Sequence, residues 1–117
     1  SESYAAGELK HGTISLIDED VPVIAVATQT DIIPKTISNV VEVKSRGAKV
    51  ILVCTDASAR ELKNGVSYYV IEIPHTDELL MPITAVVPLQ ILAYYTSINR
   101  GIDPDKPKNL AKSVTVE

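Results

Sequence analysis

The stretch Val21-Pro22-Val23-Ile24-Ala25-Val26-Ala27 decides the fold of this chain. It is a continuous apolar run of strand length rather than an alternating one, which is typical of a strand buried on both faces. A second apolar strand is predicted from Lys49 to Cys54, with a helix between the two. A strand, a helix and a strand joined by short connections indicate a parallel pair with a right-handed crossover. The predicted fold class is α/β, with a parallel sheet flanked by helices.

The helix between the two strands has clear start and stop signals. Thr28-Gln29-Thr30-Asp31 supplies cap residues for its beginning. Gly47 is expected to end it in a left-handed conformation, after Lys44 and Arg46 have placed positive charge at the negative end of the helix dipole. The apolar positions at helical spacing predict one buried stripe. They are Ile33, Ile37, Val40, Val41 and the stem of Lys44.

Two more elements are predicted after a short helical excursion over residues 57–64. Tyr68 to Ile73 is a third strand, and Asp77 to Asn99 is a long helix that ends at Gly101. The long helix is apolar nearly all round, so it is predicted to be buried on most sides, with a kink near Pro88. Three strands are few for a parallel sheet, so we expect further strands before Ser1.

The chain is predicted to divide into a globular part, residues 1–102, and an irregular C-terminal tail, residues 103–117. Prolines stiffen the connector over residues 102–107 and keep it extended. In the closing residues Val114 and Val116 alternate with polar residues, whereas a solvated tail would contain few β-branched apolar residues. We therefore expect the tail to lie against another surface.

The composition excludes several classes of function. The net charge is -4 at pH 7 and the charges are interspersed, so there is no basic surface for a nucleic acid. The single cysteine cannot close an internal disulfide, and the start of the chain has no signal-peptide pattern. No run approaches the ~18 apolar residues that span a bilayer. These features predict a cytoplasmic protein with no nucleic-acid and no membrane partner.

Few residues indicate chemistry by their pattern alone. Open parallel sheets bind ligands at the carboxyl ends of their strands, so the loops at 28–31, 54–58 and 74–77 are the first candidates. Cys54 is expected to be a buried structural thiol. His11 and His75 lack further ligands at suitable spacing, so no metal site is predicted. No P-loop, dinucleotide fingerprint or nucleophile elbow is present, and no cofactor is predicted.

For two residues the sequence pattern is compatible with both a structural and a functional role. His11 lies in a short polar cluster before Gly12, where an imidazole is either presented to a ligand or simply exposed. Lys112 would ordinarily be solvated. However, Leu110, Ala111 and Val114 flank it, and ordering of the tail would favour the neutral, nucleophilic amine that an imine-forming lysine needs.

Three stretches of the chain closely resemble the glutamine-fructose-6-phosphate aminotransferase family. They are Tyr4-Ala5-Ala6-Gly7-Glu8-Leu9-Lys10-His11-Gly12, Val87-Pro88-Leu89-Gln90-Ile91-Leu92-Ala93-Tyr94 and Asn109-Leu110-Ala111-Lys112-Ser113-Val114-Thr115-Val116-Glu117. The similarity runs the whole length of the chain. It implies the C-terminal part of the second sugar isomerase (SIS) subdomain, which is a flavodoxin-like layer of parallel strands between helices.

The resemblance also implies a reaction and the residues that perform it. Such enzymes make glucosamine-6-phosphate from fructose-6-phosphate and ammonia, which a glutaminase domain of the same polypeptide releases, and they act as homodimers. The family's Schiff-base lysine falls on Lys112, and the backbone near Ala111 touches the sugar. The histidine that opens the sugar ring, donated to the neighbouring subunit's site, falls on His11. Thr13 departs from the family, which usually has proline at this position.

Two other functions remain open. A non-catalytic SIS module that binds sugar phosphates in a regulator would have the same fold, but it has no use for an imine-forming lysine at its end. A structural or dimerisation domain would explain the apolar helix over residues 81–98, although burial within its own subdomain explains that helix equally well.

The isolated chain is predicted to have no synthase activity. The resemblance implies that the glutaminase nucleophile, the phosphate-binding loop and the carboxylate base for proton transfer all lie upstream of Ser1. The 117-residue chain, incubated with glutamine and fructose-6-phosphate, should therefore form no glucosamine-6-phosphate detectable by mass spectrometry. Product formation above a protein-free blank would contradict this prediction.

Overall fold

The computed structural model describes residues 1–55, 67 and 69–106. The predicted excursion over residues 57–64 and the end of the tail, residues 107–117, lie outside the described residues. The chain divides into two compact units, Ser1–Ala85 and Val86–Glu117.

In chain order the elements are the 3-10 segments Ala6–His11 and Thr13–Leu16, strand β1 (Pro22–Ala27), a 3-10 turn (Thr30–Ile32), helix α1 (Ile33–Ser45), strands β2 (Lys49–Thr55) and β3 (Tyr69–Ile73), and helix α2 (Met81–Asn99).

The three strands form one parallel sheet in the order β1-β2-β3. Val23 of β1 pairs with Val50 of β2, and Leu52 of β2 pairs with Val70 of β3. The central strand β2 is buried on both faces, and Leu52, Val53 and Cys54 are fully inaccessible to solvent. The predicted α/β class, with a parallel sheet flanked by helices, is confirmed.

Strand β1 is less buried than its apolar sequence predicts. Its burial alternates along the strand, so that Ile24 and Val26 are each 42% exposed whereas Ala27 is buried. The expectation of burial on both faces, which concerned β1, is therefore wrong, and it is the central strand β2 that is buried on both faces. The physical reason is that β1 lies at the edge of this sheet, and no described residue covers its second face. Pro22 suits such a position, because proline is tolerated at the first residue of an edge strand.

Helix α1 packs on the sheet through an aliphatic cluster. Val40 and Val43 of the helix join Ala48 and Val50 in a single buried group, against which Leu9 of the first 3-10 segment also packs. The predicted stripe is correct at Val40, but it is wrong at Val41, which is 48% exposed. The buried positions are instead Thr36, Val40 and Val43, which keep the spacing of three to four residues that one helix face requires.

Both helices end at the predicted glycines. Gly47 has a φ of 92°, and its N–H donates to the Lys44 carbonyl at 2.9 Å. Gly101 has a φ of 68° and donates to Ile98, while the Ile102 N–H donates to Ser97, both at 2.9 Å. This second pair of bonds is a Schellman motif, which satisfies carbonyls that the end of a helix leaves without partners. The predicted kink in α2 stays a prediction, and the helix continues through Pro88.

Helix α2 is far more exposed than predicted. Within it only Met81 and Ala85 are buried, so the expectation of burial on most sides is wrong for this chain. The exposed apolar side chains are Ile83, Val86, Val87, Ile91, Tyr94, Tyr95 and Ile98. An all-round apolar helix does favour burial, but its own sequence does not reveal which surface will cover it.

The length and composition of α2 also meet the criteria for a membrane-crossing helix. Its mean hydropathy over the best window is 1.3, which corrects the expectation that no segment is apolar enough to span a bilayer. Core helices of water-soluble proteins meet the same criteria, so this one helix is weak support for a membrane span.

Replacing Gly47 with alanine should destabilise the chain. A Cβ atom there would lie 2.9 Å from the Glu19 Cα, at a φ that side chains disfavour. We expect Gly47→Ala to lower the free energy of unfolding by at least about 2 kcal/mol, from the left-handed conformation and the overlap together. The measurement is urea unfolding followed by circular dichroism.

The matched control is Gly7→Ala, because a Cβ atom on Gly7 meets nothing within 4 Å. Its unfolding midpoint should stay close to that of the unmodified chain. Equal stability of the two variants would contradict the role assigned to the left-handed turn at Gly47.

Candidate functional site

His11 lies at the surface, at the end of the first 3-10 segment. The segment spans Ala6–His11 and is followed by Gly12 at a φ of 136°. The turn after it is closed by Ser15, whose N–H and hydroxyl both donate to the Gly12 carbonyl at 3.0 and 2.7 Å. His11 is exposed. The imidazole is therefore exposed, which fits both of the roles that the sequence leaves open for it.

The residues just before His11 attach the segment to helix α1. The side chain of Leu9 packs against the cluster that contains Val40 and Val43. The Lys10 Nζ atom lies 2.8 Å from Glu42 Oε2. An apolar contact and an ion pair thus connect consecutive residues of the segment to the same helix.

A cleft of about 610 Å³ lies beside the same segment. Both apolar and polar side chains line it, and the polar ones include Tyr4, Lys10, Lys35, Thr36 and Asn39. The Tyr4 hydroxyl donates a hydrogen bond to the Glu2 carboxylate, and this bond, more than burial or charge, raises the pKa of Tyr4. Tyr4 therefore remains a neutral hydrogen-bond donor at physiological pH. His11 is not among the residues that line this cleft.

A second cleft, of about 290 Å³, lies at the carboxyl end of β1. Thr28 and Gln29 line it, so one of the three predicted loops does border a concave surface. Thr36 lies between the two clefts and lines both. Glu78 is the one charged residue in this lining. Its carboxylate disfavours the anion that the loop could have held by its position.

The other two predicted loops have structural roles in their described parts. Cys54 is fully buried, as predicted for a structural thiol. In the loop after β3, Thr76 donates through its N–H to the Met81 Sδ atom at 3.4 Å, and Asp77 accepts a hydrogen bond from the Leu79 N–H at 2.9 Å. These bonds organise the start of α2. Among the described residues, no group of three or more His, Cys, Asp or Glu side chains could hold a metal ion.

Of the three residues assigned to the site from the sequence, the structure places one. His11 is described, whereas Lys112 and Ala111 lie outside the described residues. The contacts of Leu9 and Lys10 with α1 have no local sequence signal, since their partners are distant in the chain.

The chain matches the sequence profile of the SIS domain over residues 1–100. A solved structure with the same architecture is the C-terminal domain of glucosamine-fructose-6-phosphate aminotransferase from Francisella tularensis. Its TM-score is 0.78 at 38% sequence identity, and the match covers 86% of this chain and 28% of that one.

Curated relatives match this chain over its whole length. The glutamine–fructose-6-phosphate aminotransferase of Clostridium perfringens is 54% identical over 117 residues. The corresponding enzyme of Thermococcus kodakarensis is 50% identical over 117 residues. In both cases the match covers 100% of this chain but 19% of the relative. The chain thus spans about a fifth of the length of the curated relatives that it matches.

The thiol of Cys54 should be inert in the folded chain. It is fully buried between α1 and the sheet and is the single cysteine present, so a thiol-specific colour reagent reports on this position alone. We expect labelling in buffer to be slower than in concentrated urea by on the order of 100-fold or more, because the core must open first. Equal rates in the two solutions would contradict the burial of this strand.

Proposed function

This chain belongs to the SIS domain family, and from that premise we propose that it forms part of the sugar-phosphate half of a glutamine-fructose-6-phosphate aminotransferase. The observation that carries the proposal is the 54% identity over all 117 residues to such an enzyme. Since the chain spans 19% of that relative, the activity would belong to a longer polypeptide. This chain would be the C-terminal part of its second SIS subdomain, in the cytoplasm.

In this proposal His11 opens the sugar ring. A cyclic ketose has no free carbonyl, so a group that exchanges protons near neutral pH must transfer a proton between the ring oxygen and the anomeric hydroxyl. An exposed imidazole at the end of a short segment is accessible to a substrate. It lines neither of the two clefts described above, and in this proposal it is donated to the site of the neighbouring subunit.

Lys112 is the proposed nucleophile. Its neutral amine attacks the C2 carbonyl of the open-chain sugar, so that a carbon–nitrogen bond forms and the carbonyl oxygen leaves as water. Ammonia then displaces the lysine amine from the imine, which returns Lys112 and leaves nitrogen on the sugar. The backbone near Ala111 contacts the sugar, and the tail, residues 103–117, closes over the imine and excludes water.

The exposed apolar side chains of α2 support the proposed partners. Large exposed apolar surfaces on soluble proteins mark sites of protein interaction, and α2 exposes side chains such as Ile83, Ile91 and Tyr95. We propose that the remainder of the longer polypeptide, including its glutaminase domain, and a second copy in a homodimer provide the missing partners. The substrates are glutamine and fructose-6-phosphate, and neither a nucleic acid nor a membrane is required.

Chemical trapping tests the role of Lys112. The longer protein is incubated with fructose-6-phosphate and reduced with borohydride, which converts an imine into a stable amine. Mass spectrometry should find the sugar on the peptide that contains Lys112. The adduct should be lost in Lys112→Arg and retained in the control Lys108→Arg, which changes a neighbouring lysine of the same tail.

Two other outcomes would overturn this assignment. An adduct on a different lysine would leave the imine chemistry but remove Lys112 from it. Binding of fructose-6-phosphate without any adduct would favour the non-catalytic SIS module that binds sugar phosphates in a regulator.

A further inference from the structure

The segment that presents His11 does not hold its own shape. It is a 3-10 helix of 6 residues with no side-chain cap and no buried residue. Helices of this kind are short because their hydrogen-bond geometry is poor, and isolated short helices are unstable in water. Gly12 follows immediately, at a φ of 136°. The direction of the His11 side chain must therefore be set by contacts outside the segment.

Two contacts are available, and they come from the two residues before His11. Leu9 packs into the cluster with Val40 and Val43, which prevents the segment from lifting off α1. Lys10 pairs with Glu42 at 2.8 Å. A 3-10 helix has about three residues per turn, so consecutive side chains point about 120° apart. When Leu9 and Lys10 are both held on α1, the segment cannot rotate about its own axis. The side chain of His11 must then point about 120° away from both of theirs.

The ion pair adds little to stability by itself. The side chains of Lys10 and Glu42 are 49% and 37% exposed, and ion pairs with this degree of exposure contribute little to the free energy of unfolding. A second pair, Lys49 with Asp20, has the same 2.8 Å separation but connects residues outside the segment. The two pairs therefore share the same separation but differ in what they position, and Asp20 is more exposed than Glu42.

We propose that Glu42, acting through Lys10, is a positioning residue for His11 in ring opening. The inference rests on the proposed function, because it assigns no new reaction. It adds that a residue on the surface of α1 controls the direction in which the imidazole is presented. Glu42 itself touches no substrate in this scheme.

The test compares turnover of the cyclic substrate with binding of an acyclic inhibitor, both in the full-length enzyme. Glu42→Gln removes the charge and keeps the shape. It should lower kcat for fructose-6-phosphate by about fivefold, because a catalytic group misplaced by about 1 Å costs up to about 100-fold in rate and an exposed ion pair fixes the direction of that group only in part. The inhibition constant of an acyclic hexitol phosphate, which needs no ring opening, should stay unchanged, as should the melting temperature.

Three variants make the result decisive. Glu42→Lys should lower kcat further by placing like charges together, and the double exchange Lys10→Glu with Glu42→Lys should recover most of it. Asp20→Asn, which breaks the pair of Asp20 with Lys49, should retain full kcat. Equal kcat for Glu42→Gln and the unmodified enzyme would overturn the inference, and so would a matching loss of affinity for the acyclic phosphate, which would indicate general damage to the site.

His11→Ala separates this inference from the proposed function. If His11→Ala lowers kcat strongly while Glu42→Gln does not, the positioning role is wrong and the ring-opening role stands. If His11→Ala retains full kcat for the cyclic substrate, the ring-opening role itself is wrong, and the positioning role falls with it.

Discussion

The packing of helix α1 on the central strand is the interaction on which the rest of the structure depends. Val43 and Val50 are each 1% exposed and lie in one cluster. Burying a side chain of this size contributes about 1.5 to 3 kcal/mol relative to exposure. The contact places Gly47 in the turn between the two elements, and it creates the surface on which Leu9 docks. Without it, neither the parallel register nor the segment that carries His11 has a support.

This arrangement divides the chain between a rigid support and short irregular segments. Strand β2 is regular and well buried, and α1 buries one face, whereas His11 belongs to a segment that has no buried residue. Functional groups in proteins are often placed on loops that a rigid scaffold positions. In such a design, the direction of a catalytic side chain depends on a few contacts with the scaffold. In the described residues around His11, these contacts are the packing of Leu9 and the pair between Lys10 and Glu42.

The succession of strands and helices along the chain could be predicted from the sequence, but the solvent exposure of their side chains could not. The strand–helix–strand unit and the stops at Gly47 and Gly101 follow from periodicity and from the backbone freedom of glycine. The exposure of Val26 and of most of α2 does not follow from either signal. Apolar side chains predict that a surface will be covered, but they do not reveal whether the cover comes from the same stretch of chain. Relatives about five times longer leave ample chain for that purpose.

The candidate site was less predictable than the fold. Residue patterns alone left His11 and Lys112 open between ordinary surface residues and reactive groups, and their roles came from the resemblance to a family. The pair of Lys10 with Glu42 could not be predicted, because the two residues are far apart in the chain and only the docking of the segment on α1 brings them together. Lys112 and Ala111 lie outside the described residues, so their roles remain proposals.

A crystal structure of the full-length enzyme with fructose-6-phosphate tests the central claim most directly. We expect one sugar to have His11 of one subunit within about 3 Å of its ring oxygen or anomeric hydroxyl, as proton transfer requires. The amine of Lys112 should lie beside C2 of the same sugar. A sugar bound away from both residues, or one that meets Lys112 while His11 faces only solvent, would contradict the claim.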